Sequence, residues 1–183
     1  MKIISILLSS FLSITVLGCF SISEAQPSVS EYKPVVVFAI RHAEKVDQSK
    51  DPELSDAGKE RAALLAQMLR SAQIEYIHSS PYIRTMSTAA PTAQAHGVKV
   101  QEYDPRDLPN LVEKVRIMGG RHLIVGHSNT TPLLAELLTD EKSPAINEAE
   151  EFDRLYVLTV GKEGKASSVI IRYGKQFISK PGE

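Results

Sequence analysis

The chain has 183 residues, 43% of them apolar and 23% charged, with a formal net charge of -1 at pH 7. That composition excludes disordered and fibrous classes, and the near-zero charge gives no whole-protein field for gathering nucleic acid or an anionic membrane, so any attraction for anions has to be local. The single cysteine, Cys19, excludes an intrachain disulfide and any zinc site built on paired cysteines.

In chain order, residues 1–25 have the three-part form of an export signal: Lys2, an apolar run from Ile3 to Leu17, and a short polar segment ending Ser23-Glu24-Ala25 before Gln26-Pro27. The apolar run is shorter than the roughly 20 residues a spanning helix needs. Within the first 25 residues, Val16-Leu17-Gly18-Cys19 resembles the lipid-attachment site of bacterial lipoprotein signals, so two outcomes stand. Cleavage near residue 25 gives a periplasmic or secreted protein, and processing at Cys19 gives a membrane-anchored lipoprotein. Residues 26–34 read as a polar linker with two prolines, and the domain proper spans 35–183. A chain of this size buries roughly 68–70% of its unfolded surface in one core.

The domain opens with Val35 to Ile40, a continuous apolar run that reads as a strand buried on both faces. After a loop, Ser55 is the expected N-cap of a helix in which Ala62, Leu65, Ala66 and Leu69 recur at helical spacing. Ile74 to His78 is a second strand. Ser80-Pro81 is read as an N-cap followed by proline at the first helical position, opening a helix that ends near His96-Gly97. Val98 to Tyr103 is a third strand, Asp107 to Met118 a helix stopped by Gly119-Gly120, and His122 to Val125 a fourth strand. Asn129 to Leu138 is a helix with Pro132 in its first turn, and Thr139 to Glu150 a polar loop. Arg154 to Val160 and Ser167 to Tyr173 form a closing hairpin. This order predicts an α/β fold, a three-layer α/β/α sandwich on a mainly parallel sheet with an antiparallel C-terminal edge hairpin.

Three strand ends carry unusual residues. Ile40 runs into Arg41-His42, His78 into Ser79-Ser80-Pro81-Tyr82-Ile83-Arg84, and Val125 into Gly126-His127-Ser128. In open α/β sheets that edge is where ligands bind. An arginine fork matches a phosphate in bidentate fashion, and Arg84, near the start of its helix, is expected to point at whatever the free N–H groups there hold. Cations beside His42 disfavour its protonated form and keep it a neutral nucleophile. Attack on phosphorus would make a phosphohistidine, with Arg41, Arg84, Ser128 and, if it is protonated, His127 binding the phosphate oxygens.

Taken together, Arg41-His42-Ala43-Glu44, Ser79 to Thr85 with Thr88-Ala89 following, and Val125-Gly126-His127-Ser128-Asn129 resemble the histidine phosphatase (phosphoglycerate mutase-like) superfamily, as a compact member. Leu54-Ser55-Asp56-Ala57-Gly58 with Arg61-Ala62 also looks like a family motif. The resemblance implies a metal-independent and cofactor-free phosphatase, with His42 as the phosphorylated nucleophile and Arg41, Arg84 and His127 as the phosphate pocket. Its substrate would be a phosphorylated small molecule or a phosphorylated protein side chain. The glycine expected after Arg-His is Ala43 here, and no motif marks the acid that protonates the leaving group. Asp104, just past the third strand, is the first candidate, with Glu44 and Asp107 behind it.

Rival readings are weaker. His42-Ala43-Glu44 resembles the His-x-Glu of zinc deaminases, whose cysteine ligands are missing. His78, His96 and His122 are read as structural, Glu148 to Glu151 as a solvated acidic loop, and Asp153-Arg154 as an ion pair. A non-catalytic phosphate- or phosphoprotein-binding module is the alternative from another class. A phosphoglycerate mutase sits poorly with an export signal.

Overall fold

The computed structural model describes residues 33–178. The signal at 1–25, Cys19 and most of the linker lie outside the described residues. Among those described, no helix is long and apolar enough to cross a membrane.

Strands and helices alternate as expected: β1 (Val35–Arg41), α1 (Asp56–Met68), β2 (Tyr76–Ser79), α2 (Ile83–His96), β3 (Val100–Glu102), α3 (Leu108–Met118), β4 (Gly120–Gly126), α4 (Thr130–Thr139), then β5 (Arg154–Val160) and β6 (Ala166–Arg172). The six strands form one sheet in the order β3-β2-β4-β1-β5-β6. β1, β2, β3 and β4 run parallel, and β5 and β6 are antiparallel.

Period-two alternation along β1 divides the core. Val35, Val37 and Ala39 join Leu108, Leu111 and Val115 of α3 and Leu134 and Leu138 of α4 on one face. Ile40 and the half-buried Phe38 face the other way, toward Leu65 of α1 and Ala89 of α2. The chain therefore leaves β1 toward one face and leaves β4, its neighbour, toward the other. That divergence opens a crevice at the carboxyl ends of β1 and β4.

Helix ends follow the sequence with one exception. The Ser55 side chain accepts the Gly58 N–H, Asp107 caps α3 by accepting from Asn110, and Gly97 closes α2 at φ 65°. The Ser80-Pro81 opener is corrected. α2 starts at Ile83 with Tyr82 at the cap position and no side-chain cap, because the Ser80 hydroxyl is bonded to Thr85 and His127 instead. The Ile83 N–H is taken by the Asp51 carboxylate at 2.9 Å.

Candidate active site

His42 lies one residue beyond β1, its backbone N–H held by the Gly126 carbonyl at 2.9 Å. Its side chain is almost wholly buried, at 4% exposure. Nδ1 is 2.8 Å from the Ala43 carbonyl oxygen, and a carbonyl can only accept, so the proton sits on Nδ1 and the lone pair on Nε2. Burial lowers the imidazole pKa, the bond to Ala43 raises it, and the charges of Arg41, His127 and Arg84 lower it further, to about 3. At neutral pH the ring is uncharged.

The His42 ring lies edge-on to His127, centroids 5.5 Å apart. His127 Nε2 is 2.8 Å from Ser80 Oγ, and its Nδ1 is 3.4 Å from an Arg84 guanidinium nitrogen. A guanidinium has only donors, which makes His127 Nδ1 the acceptor and Nε2 the donor to Ser80. Ser80 Oγ then donates to Thr85 Oγ1, which donates to the Ser80 and Tyr82 carbonyls. Burial, then Arg84 and Arg41, bring the His127 pKa down to about 4. At neutral pH the ring is uncharged in the free protein, first because it is buried and then because two arginines stand near it.

Arg84 stacks over the Tyr82 ring at 4.4 Å and pairs with Asp51 at 3.2 Å. Its other terminal nitrogen faces His127. The N–H at the start of α2, expected to be open to a ligand, is closed by the same Asp51 carboxylate. Asp51 therefore fixes Arg84 from behind.

The Arg41 guanidinium is held by backbone carbonyls. Its terminal nitrogens donate to the carbonyls of Asn147 at 3.1 Å, Glu151 at 3.0 Å and Glu148 at 2.6 Å, and the guanidinium lies 4.1 Å above the Phe152 ring. Only Nε is buried without a partner. Arg41 adds positive charge close to both histidines while tying down the segment between α4 and β5.

The pocket above these groups has a volume of about 470 Å³ and is lined by His42, Arg84, His127 and Ser128 among the expected residues, and by Lys45, Tyr82, Arg106 and Glu148 among those the sequence did not single out. Tyr82 sits within the quoted Ser79-to-Thr85 motif, so its place there was within reach. Lys45 and Glu148 stand in irregular loops with no period to read.

The three carboxyls considered for the leaving-group acid are elsewhere. Asp104 is bound by its own neighbour Arg106 at 2.9 Å. Bonds from the Arg106 side chain and backbone hold its pKa down to about 2. It lines a separate depression with Asp107 and Lys114. Asp107 caps α3. Glu44 is gripped by buried Arg61 through Nε and a terminal nitrogen at 2.8–3.0 Å, which fixes the turn after His42 to α1.

The acidic loop also needs correcting. Glu151 is 2% exposed and pairs with Arg154 and Arg172, while Asp153 pairs with Arg172 rather than Arg154. His78, His96 and His122 do lie away from the pocket. His96 donates to the Leu69 carbonyl, and His78 stacks on His122 at 5.3 Å inside the sheet.

Comparison with known proteins gives a family match over part of the chain and a set of similar folds. Residues 37–107 match the model of the histidine phosphatase superfamily, branch 1. Phosphoserine phosphatase 1 of Hydrogenobacter thermophilus is 38% identical over 77 residues, covering 38% of this chain and 36% of that protein, so the match spans about a third of its length. Among solved structures, a mycobacterial glucosyl-3-phosphoglycerate phosphatase superposes with a TM-score of 0.61 at 14% identity, covering 77% of this chain and 99% of its own. The protein histidine phosphatase SixA, complexed with tungstate, gives 0.59 at 17% identity over 73% and 94%. Phosphoglycerate mutase from Bacillus anthracis gives 0.61 at 13% over 76% and 93%. At these identities the structural likenesses speak for the fold alone, and it is the segment 37–107 that is similar to branch 1 of the histidine phosphatase superfamily.

Proposed function

We propose that this protein is a phosphatase that hydrolyses phosphate monoesters through a phosphohistidine on His42. The observation that carries the reading is the tautomer of His42: the Ala43 carbonyl holds Nδ1–H at 2.8 Å, which leaves a neutral ring with its Nε2 lone pair beside Arg84 and His127. Nε2 attacks phosphorus, the P–O bond to the leaving alcohol breaks, and Nδ1 keeps its proton. Water then attacks the phosphorus, the P–N bond breaks, and its electron pair returns to Nε2. Arg84 and His127 stabilise charge on the equatorial oxygens. A dianion arriving between them favours protonation of His127, which the free protein holds back.

The substrate is a phosphorylated small molecule or side chain, and the likeness to a phosphoserine phosphatase makes phosphoserine the first compound to try. The signal-like sequence at 1–25 supports action outside the cytoplasm, with Cys19 as the site of lipid attachment if the lipoprotein route is taken. The N-terminal residue of the mature protein, read by mass spectrometry, decides between the routes.

A binding module gains some support from the absence of Asp104, Glu44 and Asp107 from the pocket. An aryl phosphate separates the readings, since its good leaving group needs little protonation. Turnover that disappears in His42→Ala is expected, and phosphate binding without turnover overturns the enzyme reading.

A further inference from the structure

Glu148 is the one acidic residue among the described residues that line the pocket. The loop carrying it is held with unusual thoroughness for an irregular segment. Arg41 takes the carbonyls of Asn147, Glu148 and Glu151, and Arg154 takes those of Pro144 at 2.7 Å and Ala145 at 2.8 Å. Two arginines thus satisfy five backbone acceptors that no ladder could. The Glu151 carboxylate accepts the Asn147 N–H, and the Asn147 side chain accepts the N–H groups of Ala149 and Glu150, closing a tight turn around Glu148. Glu148 itself is exposed. The fold fixes its backbone beside the pocket that Glu148 lines, through a bond to the residue that precedes the nucleophile.

From this arrangement we infer that Glu148 is the proton donor to the leaving group and the base in the second step, with Arg41 as its positioning residue. The assignment rests on the phosphatase reading above. As His42 Nε2 bonds to phosphorus, the departing alkoxide takes the Glu148 proton and leaves as the alcohol. The carboxylate then removes a proton from the water that attacks the phosphohistidine, and inorganic phosphate departs with the site restored. Every proton is accounted for between Glu148, the alcohol and water.

The test compares Glu148→Gln with wild type on p-nitrophenyl phosphate and on an alkyl phosphate such as phosphoserine, with Glu150→Gln as a control for loop charge and a thermal melt as a control for folding. General acid catalysis is typically worth 10²–10⁴-fold, so kcat on the alkyl ester should fall by about 10² or more, the aryl ester should lose at least tenfold less, and Glu150→Gln should behave as wild type. An equal loss on both esters, or none on the alkyl ester, overturns the assignment while His42-dependent turnover keeps the phosphatase reading intact. If wild type shows no His42-dependent turnover of either ester, the phosphatase reading fails and this inference falls with it.

Discussion

Lowering the pH should unfold this protein through histidines it keeps neutral, and His78 shows how much one ring contributes. His122 Nε2 lies 3.0 Å from the Gly119 carbonyl, so it carries the proton. His122 Nδ1 then accepts from His78 Nε2 at 3.1 Å, and His78 Nδ1 is left buried with no partner. Burial, then His122 and Lys114, lower the His78 pKa from 6.5 to about 3. The folded pKa lies below the unfolded one, so the unfolded chain binds the proton first. Stability is complete above pH 6.5 and is lost as pH falls from there toward 3. At pH 5 the ring costs about 2 kcal/mol by linkage, to which His42 and His127 add in the same sense. In His78→Gln the amide can still donate to His122, but nothing titrates at that position. Urea unfolding at pH 8 and pH 5 should show the variant losing about 2 kcal/mol less than wild type over that interval. Equal losses in the two proteins would refute the tautomer assignment and the burial argument together.

Two further substitutions probe how the site is held. A Cβ at Gly58 would overlap the Glu44 carbonyl oxygen, so Gly58→Ala should destabilise by about 1–3 kcal/mol in a denaturant titration and reduce turnover by displacing the turn after His42. Glu151→Ala leaves Arg154 and Arg172 without the carboxylate they share. Breaking a buried pair this way typically costs about 3–5 kcal/mol, and limited proteolysis should show cleavage appearing within 144–151.

Much of the fold was legible because its signals are local. The unbroken apolar run at Val35 to Ile40 marks a central strand, and Leu65 and Leu69 at helical spacing mark the buried side of α1. Gly97 and Asp107 mark helix ends by backbone chemistry alone. The neutrality of His42 rests first on burial and then on Arg41 and Arg84, and only the second part is read from the sequence. What the sequence hid are matters of partner choice. Arg41 stands where a phosphate ligand should stand, yet its guanidinium meets the carbonyls of a loop more than 100 residues away along the chain. Asp104 follows the correct strand but its side chain meets Arg106, two residues on. Glu148 and Glu151 look alike in a run of acidic residues. One is buried against two arginines and the other borders the pocket, and no periodicity distinguishes them.

The most direct test of the central claim is to trap the phosphorylated protein. Quenching turnover of phosphoserine or an aryl phosphate in alkali, followed by mass spectrometry and phosphorus NMR of the peptide containing His42, should find phosphate on Nε2 of that residue, formed within the first turnover and missing in His42→Ala. Phosphate on Nδ1, phosphate on another residue, or steady hydrolysis with no phosphorylated protein at any time would contradict the account.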